Sequence, residues 1–162
     1  MSERIETAVL RDFSVSLCRA AGLSADDAAL LTDSILFAEC RGVTSHGLLR
    51  LPQYIARLRS GATASNVPMP FTMESGGTAR LDAQNGLGQL AGRKASDKAE
   101  ELAAKYGVSF VAVANSNHFG TGAWYAIPAA RRGFFAFNIS SAASAMAPHG
   151  AAQPLLGTDP VG

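Results

Sequence analysis

A chain of 162 residues fits one ordinary domain or two small lobes, and its 48% hydrophobic and 17% charged content supplies a packed core and excludes a disordered polymer. A net charge of +1 argues against the basic face of a nucleic-acid binder. No apolar run reaches membrane-spanning length, and the opening Met1-Ser-Glu-Arg-Ile-Glu-Thr7 lacks the apolar stretch of a signal peptide, so a cytoplasmic protein off the membrane is expected.

Ile5, Val9, Phe13 and Leu17 recur every four residues and predict a first helix with an apolar stripe. Gly22 ends it. Ser24 starts a second helix, with Asp27 completing a capping-box-like pattern. Leu31, Ile35 and Ala38 carry its apolar face to Gly42. Cys18 and Cys40 form no C-x-x-C pair and fall in helices, which reads as two buried free thiols. A third helical stretch covers roughly residues 45–60, kinked or restarted at Pro52. Small residues and prolines over 61–70 read as a connection between lobes.

Two short strands over 71–74 and 78–81 flank Ser75-Gly76-Gly77. A long helix over about 87–106 turns Leu87, Ala91, Ala95, Leu102 and Tyr106 to the core and ends at Gly107. The apolar run 108–114 predicts a strand covered on both faces. Asn115-Ser-Asn-His-Phe-Gly120 is a polar break. A helix then runs to about Arg132, Gly133 stops it, and 134–140 reads as another apolar strand. This order predicts an α/β fold with some parallel pairing. The tail holds only loop-like motifs, Pro148-His-Gly150 and Gly157-Thr-Asp-Pro-Val-Gly162, so the chain reads as cut short, with sheet edges left open.

Chemistry concentrates in Ser45-His46-Gly47 and the following Arg50. On a helix, His46 and Arg50 would stand at i and i+4 on one face. That pairing suits a small acid: Arg grips a carboxylate by two parallel N–H···O bonds, and His moves a proton. Arg50 disfavours protonation of His46, and a bound carboxylate would cancel that charge. The plainer reading is a helix start with Thr44 or Ser45 as N-cap and an exposed His and Arg. His118 follows a predicted buried strand, where ligands of α/β sheets gather; its plainer reading is a turn histidine bonded to nearby backbone. Gly120 and Gly122 flank Thr121, where backbone N–H groups could meet a phosphate. Gly86-Leu-Gly88-Gln-Leu-Ala-Gly92 imitates a dinucleotide fingerprint, but it follows the turn Asp82-Ala-Gln-Asn85, and the later acids Glu100 and Glu101 lie inside a helix. These glycines are read as letting a helix start pack closely. His46, His118 and His149 match no compact ligand spacing, so no metal is expected.

The run Arg41-Gly-Val-Thr-Ser-His-Gly-Leu-Leu-Arg-Leu-Pro-Gln-Tyr54 resembles a signature of the malate/L-lactate dehydrogenase family. This family is distinct from the Rossmann-type lactate and malate dehydrogenases. It includes ureidoglycolate, sulfolactate and 2,3-diketogulonate enzymes and piperideine-2-carboxylate reductases. Asn115-Ser-Asn-His-Phe-Gly120 resembles a second signature. Pro148-His-Gly150 with Gly157-Thr-Asp-Pro160 resembles a third, with Asp159 where the family usually has Asn.

The resemblance implies a helical N-terminal lobe over 1–70 that carries the substrate and proton-relay residues. Residues 71–162 would form the first part of a non-Rossmann α/β cofactor lobe, so that the chain corresponds to the N-terminal half of such an enzyme, a truncated domain. It further implies hydride transfer between NAD or NADP and a small 2-hydroxy or 2-keto acid, or a cyclic imino acid, in a homodimer when full length. Carried over by position, Ser45 and His46 match the proton relay and Arg50 the carboxylate clamp. His118, Phe119, Gly120, Thr121 and Gly122 match the loop on the nicotinamide side of the cofactor, and Thr158 matches a substrate contact. The alternative is a non-catalytic remnant or partner-binding fragment of such an enzyme.

Overall fold

A computed structural model describes residues 4–162, which divide into two compact units, one ending at Thr121 and one spanning Gly122–Gly162. In the first, α1 (Thr7–Ala20) and α2 (Ala25–Glu39) are joined through Gly22, whose φ of 100° a side chain would oppose. Ser24 Oγ caps α2 by accepting the Asp27 N–H at 3.1 Å. The return bond of a capping box comes from elsewhere: the Ser24 N–H donates to Asn66 Oδ1 at 2.8 Å, and Asn66 Nδ2 donates to the Gly22 carbonyl at 2.8 Å.

Of the expected stripe of α1, Leu17 packs against the core, but the rest is on the wrong side. Phe13 is 60% exposed, and Ile5 and Val9 are equally open. The face that packs on α2 is small, Ser14 and Cys18, with Cys18 Sγ 4.0 Å from Thr32 Oγ1 and Arg11 Nε donating to Asp33 Oδ1 at 2.6 Å beside it. Small side chains let the two helices approach closely, and large ones would hold them apart. Cys40 also departs from expectation. It is the exposed residue that ends α2, while Cys18 is the buried thiol.

The predicted third helix is three pieces. Two 3-10 turns, Thr44–His46 and Leu48–Arg50, precede α3 (Leu51–Arg59). Pro52 sits in the first turn of α3, where its missing N–H has no bond to lose. Leu31 and Ile35 of α2, Leu51, Tyr54 and Leu58 of α3, and Leu87 form one core. Each fully buried aliphatic side chain there stabilises by roughly 1.5–3 kcal/mol.

β1 (Phe71–Ser75) and β2 (Thr78–Asp82) pair antiparallel around Gly76, with a register slip between Phe71 and Met73. β3 (Phe110–Ala114) pairs parallel with β2, from Thr78 opposite Phe110 to Asp82 opposite Ala114, giving the order β1-β2-β3. α4 (Gly88–Tyr106) makes the crossover between the parallel strands and packs Ala91 and Ala95 against Leu81 and Ala83. Its end is set by Gly107, at φ 83°, whose N–H donates to the Ala103 carbonyl at 2.8 Å. The mixed helix–sheet fold with a parallel pair is as expected. Burial of β3 on both faces is not: Phe110 is 67% exposed, because β3 is an edge strand with α4 on one side. Tyr106, expected on the core face of α4, is exposed at its last position.

The second unit contains α5 (Ala123–Arg131), with Pro128 inside it and Gly133, at φ 88°, just beyond its end. Residues 134–140 form no strand. Ile139 alone makes an isolated antiparallel bridge to Val161, flanked by the Asn138 N–H donating to the Gly162 carbonyl at 2.8 Å. Apolar and β-branched residues favour an extended chain, but a ladder needs a partner along its length. Phe135 is accordingly 95% exposed. Among the described residues, no helix is long and apolar enough to cross a membrane.

Candidate functional site

His46 and Arg50 do not share an α-helical face. Gly47 breaks the segment, with φ −91° and ψ −143°, and neither Thr44 nor Ser45 caps a helix. The break has a cause one element away. A Cβ on residue 47 would collide with the Glu39 carboxylate, whose Oε2 accepts the Leu48 N–H at 2.8 Å. The two side chains are nevertheless gathered by short bonds. Ser45 Oγ lies 2.9 Å from His46 Nδ1. Arg50 Nε donates to the Ser45 carbonyl at 2.8 Å, and Arg50 Nη1 donates to Gln53 Oε1 at 2.8 Å. Among the described residues, no carboxylate pairs with Arg50 and its Nη2 has no partner.

His118 arrives from the far end of β3. The loop before it is pinned by Asn117, whose Oδ1 accepts from Arg57 Nη2 at 2.8 Å and whose Nδ2 donates to the Asn85 carbonyl at 2.9 Å and the Gly86 carbonyl at 3.0 Å. Gly88 lets the start of α4 lie directly on this loop: a Cβ there would come within 2.5 Å of the His118 carbonyl and closer still to that of Asn117. Gly86, where a Cβ would meet Met69 and Val67, and Gly88 thus serve close packing, as expected for two of the glycines of the false dinucleotide fingerprint. Tyr54 Oη lies 2.7 Å from His118 Nδ1, and Gln89 Nε2 donates to Tyr54 Oη at 2.7 Å. The Gly120 N–H also points at His118 Nδ1, at 3.3 Å. The ring centroids of His46 and His118 are 5.3 Å apart.

The first unit therefore brings together Ser45, His46, Arg50 and His118, with Phe119, Gly120 and Thr121 continuing the same loop. Gly122, which precedes α5, and Thr158 belong to the second unit. There Thr158 is exposed in an irregular segment whose Asp159 Oδ1 accepts the Ala142 N–H at 2.9 Å. Asp159 supplies the acceptor an Asn would offer, at a φ of 35° that both residue types tolerate better than most.

Electrostatics set both imidazoles neutral. Burial, and then the Arg50 cation, hold His46 below the ordinary histidine value. Burial of the ring, then Arg50, then His46, push His118 down to about 4. The residue itself is exposed, and the Tyr54 hydroxyl and the Gly120 N–H both lie at Nδ1 of this neutral ring. Tyr54 goes the other way, up to about 12, because its burial outweighs its bond from Gln89 and the nearby Arg50 charge. It is a protonated phenol at neutral pH.

Sequence reasoning missed Glu39, Tyr54, Arg57, Gln89 and Asn117. Gln89 carried no readable signal, since two positions from both Leu87 and Ala91 puts it opposite the predicted core face of α4. Tyr54 carried none, since its spacing is that of an ordinary core residue.

Comparison with known proteins gives one answer across the chain. The family model for malate/L-lactate dehydrogenase matches residues 5–162. Malate dehydrogenase of Pyrococcus abyssi is 35% identical over 158 residues, which are 98% of this chain and 44% of that protein. The NADP(+) (2R)-3-sulfolactate dehydrogenase of Chromohalobacter salexigens is 35% identical over 161 residues, 99% of this chain and 48% of that protein. The structure of malate dehydrogenase from Pyrococcus horikoshii OT3 superposes with a TM-score of 0.94 at 31% identity, over 98% of this chain and 46% of that one. The chain thus spans just under half the length of the curated relatives it matches. With the signature residues of its first unit gathered around two neutral imidazoles and a guanidinium, and with relatedness running from residue 5 to residue 162, the chain belongs to the malate/L-lactate dehydrogenase family.

Proposed function

We propose that the protein is an oxidoreductase that transfers hydride between NAD or NADP and a small 2-hydroxy or 2-keto acid, or a cyclic imino acid. The observation that carries this reading is Arg50: a half-buried cation, oriented by Ser45 and Gln53, with no carboxylate of its own and with two neutral imidazoles beside it. A cluster of this kind recognises a small organic anion. The free edge of the guanidinium accepts the substrate carboxylate in a forked bond and fixes the position of C2. His46, through Nε2, gives a proton to the C2 oxygen or nitrogen during reduction and takes it back during oxidation. Ser45 Oγ, on Nδ1 of the same ring, orients the imidazole and serves as the next member of the relay. Thr158 is assigned to the substrate, and the loop from His118 through Phe119, Gly120, Thr121 and Gly122 to the cofactor.

The loop residues fit a nicotinamide: His118 is a neutral ring with a free Nε2, suited to a carboxamide and not to a phosphate. When bound, such a cofactor supplies or accepts the hydride. Burial, and then Arg50, hold His46 below the ordinary histidine value, and a bound carboxylate offsets the Arg50 part, which favours the protonated donor in the complex. Reduction then declines as pH rises through the value of His46 in the complex, and oxidation gains over the same range. The same reading carries a cytoplasmic location and, for the full-length protein, a homodimer.

The test is to mix the chain with NADH or NADPH and a panel of 2-keto acids and follow oxidation of the cofactor. Turnover above background is expected, and His46→Ala in the full-length context removes it with folding intact. Unchanged turnover in that variant would refute the role given to His46. A second reading, a non-catalytic fragment that binds a partner chain, is favoured by Phe135, Phe137 and Ile139 lying open in the second unit. No cofactor oxidation together with concentration-dependent association supports it.

A further inference from the structure

We infer that Gln89, Tyr54 and the Gly120 amide form a one-way hydrogen-bond chain that locks His118 as a neutral Nε2–H donor, aimed at a carbonyl oxygen of the bound cofactor or substrate. Gln89 is 1% exposed, and its Nε2 donates to Tyr54 Oη, which in turn lies 2.7 Å from His118 Nδ1. A chain of amide, hydroxyl and imidazole can run in either direction. Run one way, the amide N–H feeds the phenol and the phenol feeds Nδ1. Run the other way, an Nδ1–H feeds the phenol and the phenol feeds a flipped amide carbonyl. The choice falls to a donor that cannot rotate. The Gly120 backbone N–H points at the same Nδ1 from 3.3 Å. Two donors on one ring nitrogen require its lone pair, so the ring proton is on Nε2. The flipped amide would also turn its N–H groups into the buried space where Oε1 now has no partner, and an orphaned N–H is the rarer and costlier fault.

The two imidazoles are therefore built for different work. His46 Nδ1 meets the Ser45 hydroxyl, which can give or take a proton. His118 Nδ1 meets only donors, so this ring offers a fixed hydrogen bond and leaves proton exchange to His46. The titratable and charged groups around His118 are Arg50 and His46 from the two 3-10 turns and Tyr54 from α3, and none of them favours its imidazolium. Tyr54 and Gln89 act through His118 and are positioning residues.

The role toward a carbonyl rests on the proposed hydride transfer, but the tautomer is read without substrate or cofactor, so failure of one is separable from failure of the other. Long-range proton–nitrogen NMR of the nitrogen-15-labelled chain distinguishes the tautomers directly. We expect His118 to be a single Nε2–H tautomer across neutral pH. Tyr54→Phe keeps the packed ring and removes the phenol donor, and raises the share of Nδ1–H or of imidazolium about fivefold. Gln89→Leu moves the share in the same direction by less. An Nδ1–H or evenly mixed wild-type signal overturns the inference, as does a Tyr54→Phe spectrum identical to wild type. The wild-type spectrum decides alone if the variants fail to fold.

Discussion

The two segments that make the site are held in different ways. The segment bearing Ser45, His46 and Arg50 is tied mainly to itself: its side-chain bonds run from Ser45 to His46 and from Arg50 to Ser45 and Gln53. The segment bearing His118 is tied to the rest of the unit, through Arg57 and Tyr54 of α3, the 85–86 turn and the start of α4. Local ties place groups that must respond to a ligand. Distant ties place a group that must stay where it is.

Substitutions in the two segments should separate these behaviours. The largest loss is expected from Gly88→Ala, whose methyl group meets the Asn117 and His118 carbonyls and has no flexible neighbour to displace. Overpacking of this kind costs about 1–3 kcal/mol, and thermal unfolding should register it together with a change in the His118 NMR signal. Asn117→Ala comes next. It removes the Asn117 acceptor from Arg57, which keeps Thr63 and Ala62. It also removes the Asn117 donor from the Asn85 carbonyl, which keeps the Ala64 N–H, and from the Gly86 carbonyl; a loss of about 2 kcal/mol is expected by denaturant titration. Arg50→Ala should leave unfolding almost unchanged yet weaken binding of a 2-hydroxy acid about tenfold to a hundredfold by calorimetry, with Arg50→Lys recovering only part. A saturating monocarboxylate should raise the His46 titration midpoint and leave His118 neutral, as followed by NMR. Ser45→Ala is the smallest, about 0.5 kcal/mol or less in stability, with its effect confined to the His46 ring. Were Gly88→Ala and Arg50→Ala to behave alike, the contrast between the two segments would be lost.

The same contrast explains what the sequence could tell. Ser45, His46 and Arg50 were legible because their bonds reach no farther than five residues. Even so, their backbone was not, since the turn at Gly47 answers to Glu39 on α2. β1, β2, α4 and the parallel pair followed from local pattern and order. The stripe of α1 did not, because periodicity marks a face without saying which face a neighbour will cover, and close approach to α2 favoured Ser14 and Cys18. Residues 134–140 read as a strand on composition, but pairing is decided by a partner, and only residues near Gly162 offer one. Tyr54 reaches His118 across 64 positions, a distance no spacing rule spans.

Glu39 has a last consequence. Its carboxylate holds the Leu48 amide from below, midway between the imidazole and the guanidinium, and fills the room a side chain at Gly47 would need. The backbone between proton donor and anion clamp thus answers to α2 as well as to the loop that carries them.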